Sequence, residues 1–344
     1  VKAVRFAAYG STPQLVETDA PRCPADGVVV EVRATGLCRS DWHAWIGHET
    51  VPLPHIPGHE FPGVIATVGD EVRGWSVGER VTAPFVLGCG VCEHCRASDA
   101  QVCPDQRQPG FTGPGSFAEL VAVERADANL VALPEALDFV AAASLGCRFA
   151  TAYRALTVHG GAAAGQWVAV HGCGGVGLSA VMIAVALGAR VVALDASADA
   201  LARAASLGAT HLIDIAKQTD TAVAVVDATG GGAHVSIDAI GDSRTAAASV
   251  RSLRRRGRHV QVGLLHGENA MTALPMDLVI AYELQVHGSH GMAAHEYPAM
   301  LEMVASGALR PDRLVGSVIG LDGAVDALMS MDRNSGGGMT VITP

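Results

Sequence analysis

The stretch from Trp167 to Asp195 constrains the fold of this chain more than any other. A strand, Trp167-Val168-Ala169-Val170-His171, runs into Gly172-Cys173-Gly174-Gly175-Val176-Gly177, then an apolar helical segment to about Leu187, then a second strand from Arg190 to Asp195. This is a complete βαβ unit around G-x-G-x-x-G. Its glycines allow a sharp turn and let a pyrophosphate approach backbone N–H groups at a helix N-terminus. Asp195 ends the second strand, where its carboxylate can accept hydrogen bonds from ribose hydroxyls and would repel a 2'-phosphate. NAD is therefore favoured over NADP. The competing reading is a glycine turn that only packs a helix on a sheet, and the coincidence of strand, turn, helix and acid disfavours it.

The region around this unit carries no Asp, Glu, Lys or Arg from Ala155 to Ala189, so a membrane span has to be weighed. The glycines, with Gln166 and His171, argue for buried strand, turn and helix instead. Alternation continues downstream, with strands expected at His211 to Ile215, His234 to Ile240, Arg258 to Leu264 and Leu284 to Gly288, and helices such as Asp199 to Leu207 and Ser243 to Arg255. Residues near 150 to 288 thus read as a doubly wound parallel sheet. The first 147 residues differ. Short β-rich runs such as Val28 to Ala34, Gly63 to Val68 and Phe117 to Val123, broken by Pro and Gly, predict a separate, mostly β domain. The Gly336-Gly337-Gly338 run reads as a turn before a last strand.

Four of the eight cysteines, Cys89, Cys92, Cys95 and Cys103, stand in a C-x2-C-x2-C-x7-C array on a loop that also holds Gly88 and Gly90. Four thiolates with no vacant position make a structural zinc site, a clamp and not a catalyst. An iron-sulfur cluster is the competing metal reading. Disulfides would suit a short secreted chain, whereas this one has 344 residues and opens Val1-Lys2-Ala3-Val4-Arg5 without an apolar signal run. Cys38, His59 and Cys147 form a second possible set. Two thiolates and one imidazole would leave a fourth zinc position open, as a catalytic zinc needs. Their long spacing proves nothing alone, since a single Cys is usually a small buried hydrophobe.

Thirty-four acidic against twenty-four basic residues leave a formal charge of -10, which disfavours nucleic acid and anionic membranes as partners. The run Arg254, Arg255, Arg256, Arg258 is the exception, expected as cations at a helix C-terminus that complement the helix dipole.

On these motifs taken together, Cys38-Arg39-Ser40-Asp41, Gly58-His59-Glu60 with Gly63-Val64, the four-cysteine lobe, Gly146-Cys147, Gly172 to Gly177 with Asp195, and Val262-Gly263-Leu264, the chain resembles the zinc-dependent alcohol dehydrogenases of the medium-chain dehydrogenase/reductase superfamily. The resemblance covers nearly the whole length. It implies an α/β protein with a GroES-like, mostly β catalytic domain, residues 1–149 completed by 289–344, with a structural-zinc lobe at 88–104. A Rossmann NAD-binding domain would span 150–288, with the active site in the cleft.

The resemblance further implies two Zn2+ per chain. Cys38, His59 and Cys147 would be the catalytic ligands, with Glu60 as a transient substitute and Asp41 orienting His59. Ser40 and His43 match a proton relay, Arg39 a pyrophosphate contact, Thr151 and Val176 the nicotinamide site, and Ile240, Val262 and Leu264 cofactor-lining positions. The implied reaction is NAD-linked, reversible oxidation of an alcohol to an aldehyde or ketone, in a cytoplasmic homotetramer whose partner is a small molecule.

Phe85, Trp45 and Ile46 are candidates for a substrate slot, which suits an apolar primary alcohol, although Trp45 and Ile46 read equally as core. His48 and His55 are expected as loop residues without a ligand role. Cys173 and Cys23 are expected to be quiet. Two positions depart from the family: Met339 stands where many relatives place a pyrophosphate-binding arginine, which predicts looser NAD binding, and Ala200 stands where a basic residue often supports the ribose. A secondary-alcohol or polyol dehydrogenase is the nearest rival, and polyol members generally lack a ligand like Cys147. A non-catalytic NAD- or zinc-binding protein is the remote one, disfavoured because a scaffold has no use for a zinc with an open position.

Overall fold

The computed structural model describes residues 1–332 and 337–344, so Gly336 lies outside the described residues. The chain divides into two units. One holds residues 1–150, 291–332 and 339–344, and the other holds Thr151–His290 with 337–338.

In the second unit six strands form one sheet in the spatial order His211–Asp214, Arg190–Asp195, Trp167–His171, Ala233–Asp238, Leu253–Gln261, Gln285–Gly288, with every pairing parallel. This is the doubly wound order, starting from the middle and reversing direction after the third strand. Every residue of Trp167–His171 is buried, as a central strand covered on both faces requires. Helix Gly175–Ala186 follows and is buried over most of its length. No helix among the described residues is long and apolar enough to cross a membrane.

Two strand ends differ from expectation, both because of Asp238. Ala233–Asp238 stops short of Ile240 because the Asp238 carboxylate accepts the N–H groups of Ile240 and Gly241 (2.8 and 3.1 Å). Leu253–Gln261 stops short of Leu264 because the N–H groups of Val262 and Gly263 both turn to the Asp238 carbonyl.

The basic run requires a correction. The helix capped by Asp242 ends at Arg251, and Arg254, Arg255, Arg256 and Arg258 belong to the strand Leu253–Gln261, so they complement no helix dipole. Pairing wins over helix extension here, since Arg256 N–H donates to the Tyr282 carbonyl and the segment is in register with Ala233 and Val235.

The first unit contains a five-stranded antiparallel sheet in the order Leu120–Val123, Val28–Val32, Pro62–Val68, Arg80–Thr82, Val131–Ala132. Val28, Val30, Phe61, Ile65 and Val81 fill its core. A three-stranded sheet joins the chain's two ends, with Thr35–Leu37 antiparallel to Met339–Thr343, which in turn runs parallel to Val315–Gly320. Gly338, at φ +84°, makes the turn into that last strand. This pairing fixes the segment leading into Cys38.

Candidate active site

Cys38 caps the helix Arg39–Ile46, and the Asp41 carboxylate reaches back to accept the Cys38 N–H at 2.9 Å. The same fully buried carboxylate accepts from Gly58 N (3.0 Å) and from His59 Nδ1 (3.0 Å). One aspartate thereby holds two loops. Gly58 is needed at its position because φ is +103° and a Cβ would lie 2.6 Å from the Phe117 backbone nitrogen. With Nδ1 committed to Asp41, Nε2 is the nitrogen left to meet a metal ion, and it is buried and has no hydrogen-bond partner. Cys147 comes from Leu145–Phe149, a π-helical turn of the kind often found at functional sites. Single ligand atoms of Cys38, His59 and Cys147 all lie within 4.8 Å of one another.

The protons of this trio are shared unevenly. A hydrogen bond from Cys147, working against burial and helped by His59, holds the Cys38 thiol well below the usual thiol range. The same bond, with burial, pushes Cys147 well up. Burial pulls His59 down, but the charge and hydrogen bond of Asp41 outweigh it and leave the imidazole well above its ordinary value. A divalent cation would take the place of these protons, and two sulfurs, one directed imidazole nitrogen and a fixed tautomer suit zinc with one position to spare.

Glu60, expected as a transient substitute for a ligand, stands outside the trio. One oxygen accepts from Cys147 N (3.1 Å), Arg148 N (2.9 Å) and Arg148 Nε (3.1 Å), while the other is paired with Arg148 Nη2. Burial pushes the Glu60 carboxyl up and Arg148 opposes the shift. Arg148 also donates to the Leu37 carbonyl at 3.0 Å, so one buried guanidinium ties the two cysteine loops together. Sequence reasoning missed Arg148, because an arginine beside a candidate ligand signals nothing until its partner 88 residues away is known. Tyr297, whose hydroxyl donates to Gly146 O at 3.1 Å, was missed for the same reason.

Around the trio, Ser40 Oγ is 3.8 Å from Cys38 Sγ. His43 Nδ1 lies 3.0 Å from His48 Nδ1, so His48 is a neighbour of the expected relay and not a bystander. His55 is buried with Nε2 2.8 Å from Gly110 O. The Phe85 ring stands 6.1 Å from the His59 ring, and Phe111, unforeseen from sequence, stands closer at 5.0 Å. Trp45 and Ile46 pack in the core around Phe6 and Phe117, a cluster whose rim includes Phe111, and the Trp45 indole donates to Ser11 O. Arg39 donates to Met331 O at 2.9 Å and lies over Trp42. Met339 is buried, so an arginine there would carry its charge into the core.

The second cysteine set is local. Sulfur atoms of Cys89, Cys92, Cys95 and Cys103 lie within 4.8 Å of one another, and all eight cysteines are free of disulfides. Backbone N–H groups point at the sulfurs, Cys92 N to Cys89 (3.2 Å), Cys95 N to Cys92 (3.4 Å) and Cys89 N to Cys103 (3.3 Å). Hydrogen bonds from Val91 and Cys92 bring the Cys89 thiol down to about 6. Burial pushes Cys95 up to about 12 and Cys103 up as well, so a metal would displace protons from part of the set, and four converging sulfurs of this kind fit a closed metal site.

In the second unit three of the four glycines of the turn do different work. Gly172 has φ +94°; a Cβ on Gly177 would lie 1.7 Å from Gly172 O; a Cβ on Gly174 would meet nothing within 4 Å. The first two make the turn and the close packing, and the third leaves open space where a phosphate can approach the helix that begins at Gly175. Val176 is half-buried on that first turn, and Thr151 is buried in helix Ala150–Arg154. Asp195 accepts from Cys173 N (2.7 Å) and Ser197 N (2.8 Å), which fixes its carboxylate beside the loop. Ile240 and Leu264 remain 47% and 43% exposed, a large apolar surface for two residues at the C-terminal edge of the sheet. Asp238 and Gln261, which brace both of their loops, were not foreseen. The donor set fits a dinucleotide.

The profile of the alcohol dehydrogenase GroES-like domain matches residues 24–135, and that of the zinc-binding dehydrogenases matches 175–306. An alcohol dehydrogenase of Geobacillus stearothermophilus is 33% identical over 315 residues, covering 90% of both chains. The chain belongs to the zinc-type medium-chain alcohol dehydrogenases. Among solved members, the alcohol dehydrogenase from Thermus sp. ATN1 aligns with a TM-score of 0.92 at 30% identity, covering 100% of this chain and 99% of the other. A structure described as an NAD-dependent alcohol dehydrogenase aligns at 0.90 and 29% identity over all of both chains. For a zinc-type dehydrogenase, the buried trio and the glycine turn are the two features that require explanation, and both have the donor chemistry the family name demands.

Proposed function

We propose that this dehydrogenase carries out the NAD-linked, reversible oxidation of primary, apolar alcohols, with two zinc ions per chain, one catalytic and one structural. The observation that carries the reading is His59 Nε2, a buried nitrogen with no partner, fixed by Asp41 among two cysteine sulfurs. When bound, zinc supplies a Lewis acid and NAD the hydride acceptor.

The chain's own residues position and move the rest. Asp41 accepts from His59 Nδ1, which orients the ring with Nε2 toward the cysteine sulfurs and raises its basicity. Ser40, beside Cys38, accepts the proton of the alcohol hydroxyl while releasing its own hydroxyl proton toward His43, one turn along the same helix, which takes it up and hands it outward toward His48. Phe85 and Phe111 exclude water from one side of His59 and favour an apolar substrate. Glu60 becomes a ligand only by releasing Arg148. Arg39 serves the pyrophosphate, Thr151 and Val176 the nicotinamide, and Ile240, Val262 and Leu264 the remaining wall of the NAD site. Residues 1–149 with 289–344 act as the catalytic domain and 150–288 as the NAD domain. The reading includes a cytoplasmic homotetramer, supported by family resemblance and checked by sedimentation.

The test is NADH formation measured across primary, secondary and polyhydric alcohols. The highest kcat/KM is expected on unbranched primary alcohols. A preference for polyols would overturn the substrate class, and no turnover with any alcohol would overturn the function. Asp195→Gly is expected to lower the NAD to NADP ratio of kcat/KM, and an unchanged ratio would remove the carboxylate as selector.

A further inference from the structure

The N-terminal edge of the parallel sheet, opposite the glycine turn, gathers an unusual amount of positive charge for a chain of net charge -10. Arg190 and His234 begin or nearly begin their strands, and Arg254, Arg255, Arg256 and Arg258 crowd the start of another. The register explains the crowding. Ala233 pairs with Leu253 and Val235 with Arg258, so two steps on one strand oppose five on the other and the extra residues bulge outward. Arg256 takes φ +64° in that bulge, a conformation an arginine adopts only at some cost. Two carboxylates offset part of the charge, Glu283 on Arg256 and Asp220 on the adjacent Arg251. The others face carbonyls or rings: Arg258 donates to Gly160 O, Arg255 lies over Tyr282 and Arg190 over Trp167.

Between them is a contact that the protein leaves mismatched. His234 Nδ1 accepts the Trp167 N–H at 3.0 Å, so the ring's hydrogen is on Nε2. That Nε2 lies 2.8 Å from Arg254 Nη1, and a guanidinium has no lone pair to offer. Two donors therefore converge with no acceptor, and protonating His234 would leave both still donors. An anionic oxygen seated beside them would accept from both. A cavity of about 220 Å³ opens at this place, lined by His234, Gln166 and the four arginines of the run. It is smaller than the roughly 300–1,000 Å³ of pockets for larger organic ligands, so it suits a phosphate or diphosphate group and not a second dinucleotide.

We propose that this edge is a binding site for a small phosphorylated anion, anchored by Arg254 and His234. The site is separate from the glycine turn and independent of the alcohol specificity. Inorganic pyrophosphate is the probe, titrated calorimetrically into the full-length protein with NADH at saturating concentration so that the glycine turn is occupied. One saturable site per chain is expected, weakened at least tenfold in Arg254→Ser and measurably in His234→Asn, whose amide oxygen can still accept from Trp167. Arg33→Ser, at an exposed arginine paired with Glu31, is expected to bind like the parent. Equal affinity in the parent and in His234→Asn, with Arg254→Ser also unchanged or unfolded, would overturn the site. So would the absence of saturable heat, or binding of an RNA oligomer without binding of pyrophosphate.

Discussion

The two cysteine constellations of this protein are built by opposite means. Cys89, Cys92, Cys95 and Cys103 come from one short loop, are mostly half-exposed, and are held by N–H groups of the same loop. Cys38, His59 and Cys147 come from three distant segments and depend on two buried ionic groups, Asp41 and Arg148, to meet at all. The first set brings together four sulfurs, enough to close a metal's coordination shell; the second brings together three candidate ligands and leaves His59 Nε2 unanswered. A clamp can be written into a loop, whereas an open site needs a scaffold that prevents its collapse.

That contrast predicts unequal consequences. Cys38→Ser should lower kcat by on the order of a thousandfold or more, the loss of several kcal/mol of Lewis-acid assistance. Cys92→Ser should lower the melting temperature and leave turnover at 25 °C far less affected. Equal loss of turnover in the two variants, measured as NADH formation per folded chain, would erase the distinction.

Arg148→Met tests the scaffold. It strands the buried Glu60 carboxylate, and removing one partner of a buried pair costs about 3–5 kcal/mol, readable in urea unfolding. A change below about 1 kcal/mol, typical of surface pairs, would show that the pair does not hold the loops.

Asp41→Asn should weaken metal binding at the three-ligand site about 10–100-fold, as loss of an orienting carboxylate does, while the four-cysteine lobe keeps its metal. Competition with a chelator, followed by metal retained per chain, separates the two sites. Parallel loss from both would contradict their independence.

The smallest effect concerns the NAD unit. Burial, and His259 beside it, bring His171 down to about 3 from an ordinary 6.5, so the folded protein keeps it neutral while the unfolded chain takes up a proton as pH falls below about 6.5. Stability is therefore fully present above that pH and lost as pH falls toward 3, by about 2 kcal/mol at pH 5. His171→Gln should remove most of that dependence. An unchanged slope between pH 7 and pH 5 would place it elsewhere.

Much of this architecture was legible in the residues. The turn from Gly172 to Gly177 and the four-cysteine array are local patterns whose spacing dictates their geometry, and both were readable from the chain alone. The open trio was legible only as a possible set, since 38, 59 and 147 have no spacing rule, and resemblance was needed to assign it as the ligands. Asp238 ends two strands, one through its carboxylate and the other through its backbone carbonyl, which no hydrophobic pattern reveals. The arginine run was misplaced because its charge suggested a helix end, while strand pairing to Ala233 and Tyr282 decided the matter. The buried pairing of Glu60 with Arg148 was not legible either, because nothing in the residues around His59 points to a partner 88 positions away.

The most direct measurement is an anomalous diffraction map at the zinc edge from crystals of the metal-loaded enzyme. The account predicts two peaks per chain, one about 2.3 Å from four sulfurs of the loop and one at that distance from Cys38 and Cys147 and about 2.0–2.1 Å from His59 Nε2. A single peak at the four-cysteine loop, with Cys38, His59 and Cys147 holding no metal, would contradict it.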